Sequence, residues 1–92
     1  MSEIDVTAME PLRFAVQVTE GTLTTSHLVR VPPSLLDDLG LSEGDAPLVV
    51  RETIGFLLDR EPATSILAEL TLDDVSRFFP DYLDELTTRL AS

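Results

Sequence analysis

The chain has 92 residues, a net charge of −11 and no cysteine. This length suits one domain with a thin core, and the lack of cysteine excludes disulfides and thiolate metal sites. The sequence has neither a basic, apolar leader nor an apolar run of membrane-spanning length, which predicts a cytoplasmic protein that makes no membrane contact. We also expect no nucleic-acid binding, because a field of this sign repels phosphate backbones.

The first ten residues contain Glu3, Asp5 and Glu10 and no basic side chain. This composition predicts a flexible acidic tail over residues 1–10. The remaining residues, 11–92, have periodic apolar runs and are expected to form one α+β domain.

A β-hairpin is predicted at the start of that domain. Alternating apolar and polar residues from Leu12 to Val18 indicate a half-buried strand, and the β-branched run from Thr22 to Val31 indicates a second one. With Glu20-Gly21 as a two-residue loop, Phe14 faces His27 and the apolar residues of both strands share one face. His27 is then a core or dimer-interface residue.

Helices are predicted after the hairpin. Pro32-Pro33 stops the second strand and starts a short helix that ends at Leu39, before Gly40. Two further helices are expected, from Thr71 through Phe78 and from Pro80 onward. The predicted fold class is therefore α+β, an N-terminal β-hairpin followed by three or four short helices.

Residues 45–60 fit two patterns. Val50, Ile54, Leu57 and Leu58 have helical spacing after Asp45 and Pro47, which predicts a helix. The even-numbered apolar residues of the same segment would also fit a pair of strands. We predict the helix and retain the strand pair as the alternative.

Catalytic chemistry is not indicated. His27 is the only histidine, and the carboxylates fall in short clusters that are expected to stabilise helix starts. No calcium-loop, phosphate-loop or zinc spacing is present. We therefore expect a protein that is not an enzyme, with no catalytic residue, metal site or cofactor.

Three stretches resemble known proteins. Residues 27–61, with V-R-V-P-P-S-L-L-D-D-L, resemble ribbon-helix-helix proteins, which implies that Ser26, Leu28 and Arg30 face the DNA major groove. Residues 29–45 resemble AbrB-type swapped-hairpin regulators and antitoxins, which implies strands within 48–60 and a DNA face using Arg13 and Arg30. Residues 29–90 also resemble small uncharacterised bacterial proteins, which implies no particular activity.

The composition favours a small acidic, non-enzymatic protein-interaction module that forms a homodimer and attracts a basic protein partner. The candidate partner contacts are Leu28, Arg30, Phe78, Phe79 and Tyr82. The alternative is a DNA-binding transcriptional regulator or antitoxin of ribbon-helix-helix or AbrB type. Its candidate DNA contacts are Arg13, Ser26, Leu28 and Arg30.

Overall fold

The computed structural model describes residues 2–91 and has the expected α+β class. Its strands are β1 (Ser2–Glu10), β2 (Arg13–Glu20), β3 (Leu23–Arg30) and β4 (Glu69–Thr71). Its helices are α1 (Pro33–Leu39), α2 (Ala46–Leu58), α3 (Leu72–Phe78) and α4 (Tyr82–Ala91).

The segment predicted to be a flexible tail forms a strand wherever the structure describes it. Residues 2–10 form β1, which pairs antiparallel with β2, while residue 1 lies outside the described residues. The cause is the alternation of apolar residues with acidic ones: Ile4 lies opposite Val18 and Val6 lies opposite Val16. The free energy gained by packing these pairs on one face offsets the conformational entropy lost when the acidic segment becomes ordered.

The hairpin is present, but its register differs from the prediction by two residues. The two-residue loop is Gly21-Thr22, because Glu20 pairs with Leu23. His27 consequently lies opposite Val16, and Phe14 lies opposite Val29. A shift of two residues keeps every side chain on its predicted face, so both Phe14 and His27 are buried, as expected.

The four strands form one sheet in the order β1-β2-β3-β4, with β4 parallel to β3. β4 was not predicted, because its three residues carry little periodicity. It joins the sheet through pairing with Leu28, Val29 and Arg30 at the end of β3.

Residues 46–58 form helix α2, so the helix prediction is confirmed and the strand pair is not formed. This helix contributes seven buried residues to the core, and it packs against α4 and β1. The core lies between these helices and one face of the sheet. Within the described residues, no helix is long and apolar enough to span a membrane.

Candidate functional site: the open face and outer edge of the sheet

One face of the sheet carries the helices, and the other, which we call the open face, does not. Strand register places the side chains of the open face in rows that cross the sheet. One row at the end of the sheet contains Glu10, Arg13, Arg30 and Thr71. The next row contains Thr7, Ala15, Leu28 and Glu69.

The four candidate DNA contacts all lie on the open face. Arg13 is directly opposite Arg30, and Leu28 occupies the neighbouring row. Ser26 is one row further along, opposite Gln17. All four are exposed, and Leu28 keeps 40% of its surface accessible. The structure thus places all four on one face, and their contact with DNA stays a prediction.

The aromatic candidates do not form one surface. Phe78 is 72% exposed, whereas Phe79 is only partly so and Tyr82 is fully buried. The ring of Phe56 packs edge-on against both Phe79 and Tyr82, with ring centroids 5.6 and 5.3 Å apart. Tyr82 is thus a core residue and cannot contact a partner, and Phe78 has the most accessible ring of the three.

Most of the arginines have internal acceptors. Arg60 binds Asp81 at 2.7 Å and lies over the Phe56 ring, and Arg89 binds Asp59. Arg77 lies 3.8 Å from Asp74.

The three remaining arginines are attached to the sheet. Arg51 donates to the carbonyl of Ile4 at 2.7 Å, and Arg13 approaches Glu10 at 3.5 Å. Arg30 has no hydrogen-bond acceptor or ion-pair partner among residues 2–91. Arg30 is therefore the arginine most able to contact another molecule.

A cleft of about 400 Å³ opens beside this arginine pair. It runs from the end of β1 to the start of α3, and its lining includes Met9, Arg13, Leu28, Arg30, Glu69 and Asp74. The cleft thus combines cationic, anionic and exposed apolar groups.

The outer edge of β1 is a second accessible surface. A two-residue loop is closed by a hydrogen-bonded pair, here Glu20 and Leu23. Even-numbered residues of β2 therefore bond to β3, and odd-numbered ones bond to β1. The ladder leaves the N–H and C=O groups of Ile4, Val6 and Ala8 pointing away from the sheet. The hydrogen bond from Arg51 to the Ile4 carbonyl agrees with this pattern.

No other strand of the described chain lies along the outer side of β1. Sequence reasoning missed this edge because the acidic residues indicated a tail. The signal that could have found it is the alternation of Glu3, Asp5 and Thr7 with Ile4 and Val6.

His27 is a core residue, as predicted. Its ring Nδ1 lies 2.8 Å from the carbonyl oxygen of Leu67, so Nδ1 carries the proton and donates. Nε2 then accepts from the Thr25 hydroxyl at 2.9 Å. Both ring nitrogens are occupied in holding the connection before β4 against the sheet.

Over residues 2–91, no three histidine, aspartate or glutamate side chains converge in a way that could hold a metal ion. Comparison with known proteins yields no matching family model, curated protein or solved structure.

Proposed function

We propose that this protein is a non-enzymatic interaction module that holds an extended, basic segment of a partner protein as an additional strand beside β1. The observation that carries the proposal is the outer edge of β1, a nine-residue strand. An open strand edge is a template for main-chain pairing, and strand addition is a common mode of peptide recognition. Among the described N–H and C=O groups on that edge, only the carbonyl of Ile4 has a hydrogen-bond partner within the chain, the side chain of Arg51.

The side chains of β1 specify the composition of the added strand. Ile4 and Val6 point toward the helices but remain partly exposed, so apolar residues beside them would complete their burial. Glu3 and Asp5 are exposed on the open face, so basic residues beside them would form cross-strand ion pairs. The segment should therefore alternate apolar and basic residues.

The charge of the whole chain supports a basic partner. A net charge of −11 raises the encounter rate with a cationic segment and disfavours anionic ones. The expected affinity therefore decreases as salt increases, because salt screens the attraction.

A second copy of the chain is the competing occupant of this edge. Antiparallel pairing of two β1 strands about Val6 would place the Asp5 side chains of both copies on one face, at diagonal positions with backbones about 7–8 Å apart. The two acidic chains would also repel each other as a whole. These charges favour a basic segment over the homodimer that composition alone suggests.

The DNA-binding alternative draws support from Arg13 and Arg30 lying side by side. Two features weaken it. The other four arginines bind acceptors elsewhere, and Leu28–Arg30 of β3 is paired on both sides, by β2 and by β4. A ribbon-helix-helix dimer needs a free ribbon edge for the second copy, and β3 does not offer one there.

The test uses a labelled peptide in which lysine alternates with valine, titrated with the protein and followed by fluorescence polarisation. The decisive variant is Ala8→Pro. Proline removes the outward-pointing N–H of Ala8 and leaves the ladder to β2 intact, because edge strands tolerate proline where the N–H faces away from the sheet. Ala8→Val is the matched control, since it changes the side chain and keeps the N–H.

We expect binding that weakens with salt, a loss of about tenfold or more in Ala8→Pro, and little change in Ala8→Val. The double variant Glu3→Gln/Asp5→Asn should weaken binding, whereas Asp38→Asn on α1 should not. A peptide of the same composition without alternation should bind less well. Equal binding by Ala8→Pro contradicts the proposal, as does a homodimer that Ala8→Pro converts to monomer.

A further inference from the structure

The arginine pair at the end of the open face suggests a second binding site, distinct from the β1 edge. Arg13 and Arg30 occupy directly opposed positions on β2 and β3. Like charges in that arrangement destabilise a sheet. The chain has six basic residues in total, so placing two of them face to face is a cost that local folding does not explain.

Among residues 2–91, Arg30 has no partner to offset this cost. Arg13 has Glu10 at 3.5 Å, a distance at which two exposed side chains attract only weakly. Glu69 lines the same cleft but forms no ion pair with Arg30 within 4.0 Å in the part of the chain that is described. An anion between the two guanidinium groups would satisfy both of them.

The cleft also selects the kind of anion. Glu10, Glu69 and Asp74 line it together with the two arginines, so a multiply charged phosphate would meet three carboxylates. A planar carboxylate carries a single charge and matches the fork of a guanidinium group. The exposed side chains of Met9 and Leu28 offer it an apolar neighbour, since they are 62% and 40% accessible.

We infer that this cleft binds a carboxylate attached to an apolar group, with Arg30 as the principal ligand and Arg13 assisting. Its volume of about 400 Å³ suits a small group rather than a folded partner. Two sources share this chemistry: the C-terminal residue of a polypeptide, and a free short-chain acid.

The experiment is a nuclear magnetic resonance titration that follows the backbone amides of residues 28–30 and 69–71 and the Nε–H groups of Arg13 and Arg30. N-acetyl-leucine imitates a polypeptide C-terminus, and hexanoate represents free acids. N-acetyl-leucinamide, which lacks the carboxylate, and inorganic phosphate are the control ligands. Arg30→Gln is the test variant, and Arg77→Gln is the matched control because it removes an exposed arginine outside the cleft lining.

We expect N-acetyl-leucine to shift these signals with a dissociation constant on the order of 1 mM, and the amide to leave them unchanged. Arg30→Gln should abolish the shifts while its spectrum stays that of a folded protein, and Arg77→Gln should retain them. If hexanoate binds as tightly as N-acetyl-leucine, the result supports a carboxylate site that accepts free acids. Binding of N-acetyl-leucine alone supports it with a polypeptide C-terminus.

The inference is overturned if neither acid shifts the signals, if phosphate binds as well as the acids, or if the shifts persist in Arg30→Gln. The Ala8→Pro variant separates this site from the proposed function. It should lose the basic peptide and still bind N-acetyl-leucine, since Ala8 lies on the outer edge and contributes no group to the arginine pair.

Discussion

Tyr82 donates its hydroxyl proton to Oγ1 of Thr53, at an oxygen–oxygen distance of 2.6 Å. The direction follows from Thr53, which has one hydroxyl proton and donates it to the carbonyl of Val49 at 2.7 Å. Both side chains are fully buried where α2 meets α4. This short chain of hydrogen bonds therefore joins two helices through the core.

The direction of that bond predicts unequal effects of two conservative substitutions. Thr53→Val leaves the buried Tyr82 O–H without an acceptor and should lower the free energy of unfolding by about 1–3 kcal/mol. Tyr82→Phe removes the donor and leaves only an unused lone pair on the Thr53 oxygen, so it should lower the free energy of unfolding by less. Urea unfolding of both variants and of Thr53→Val/Tyr82→Phe measures the difference. If the double variant loses the sum of the two single losses, the two residues do not act as a pair.

Tyr82 also makes stability depend on alkaline pH. Burial raises the pKa of Tyr82 from 10.0 to about 12. Because the folded protein holds this proton more tightly than the unfolded chain does, the contribution of Tyr82 to the free energy of unfolding is complete below about pH 10. That contribution, about 3 kcal/mol in total, is lost as the pH rises through 12.

Absorbance of the ionised ring measures this directly, since the chain has one tyrosine and no tryptophan. Tyr82→Phe should lose less stability between pH 10 and 12 than the parent protein. A ring that ionises near pH 10 while circular dichroism still reports a folded chain would show that Tyr82 is accessible to water.

The faces of the hairpin could be predicted from the sequence, but the pairing of individual residues could not. Alternation decides which side chains are buried, and a shift of two residues preserves that pattern. The loop decides the register, and both Glu20-Gly21 and Gly21-Thr22 contain a glycine. Gly21 has a φ of +63° and takes the first loop position, where a type II′ turn requires a positive φ.

Replacing Gly21 therefore tests the observed loop. Gly21→Ala forces a side chain into the left-handed region and should cost about 1–2 kcal/mol in unfolding free energy. Gly44→Ala is the control, because Gly44 has no positive φ and a Cβ there would lie 3.7 Å from the Ser42 hydroxyl, an ordinary contact. Equal losses in thermal or urea unfolding would mean that Gly21 does not need its positive φ.

Part of the candidate site was also predictable. Ser26, Leu28 and Arg30 alternate along one strand, which places them on one face whatever the pairing. The cleft depends on β4 and α3. Helix α3 was expected from the sequence, but the tertiary contacts that bring both elements beside Arg30 leave no local pattern. Tyr82 was misassigned because an aromatic residue beside Pro80 and Asp81 has the same local sequence whether it is buried or exposed.

The opposed arginines predict a substitution that increases stability. Arg30→Gln removes the repulsion with Arg13 and should raise the free energy of unfolding by about 0.2–1 kcal/mol relative to Arg77→Gln. Both variants make the net charge more negative by one, and the exposed contact of Arg77 with Asp74 at 3.8 Å is weak, so the difference mainly reports the Arg13–Arg30 pair. Added salt should reduce that difference, because it screens exposed charges. Urea unfolding at low and high salt measures it, and a less stable Arg30→Gln would mean that Arg30 has a structural role.

The charge distribution predicts that the protein does not bind duplex DNA appreciably at physiological salt. Duplex binding gains most of its non-specific affinity from neutralised phosphates. The open face offers Arg13 and Arg30 for this purpose, and it also carries Glu3, Asp5 and Glu69 in a chain with a net charge of −11. A gel-shift titration with genomic fragments, alongside Arg30→Gln, is the measurement. Sub-micromolar binding that weakens steeply with salt and disappears in Arg30→Gln would favour the regulator over the interaction module, because only a groove-facing Arg30 explains both effects.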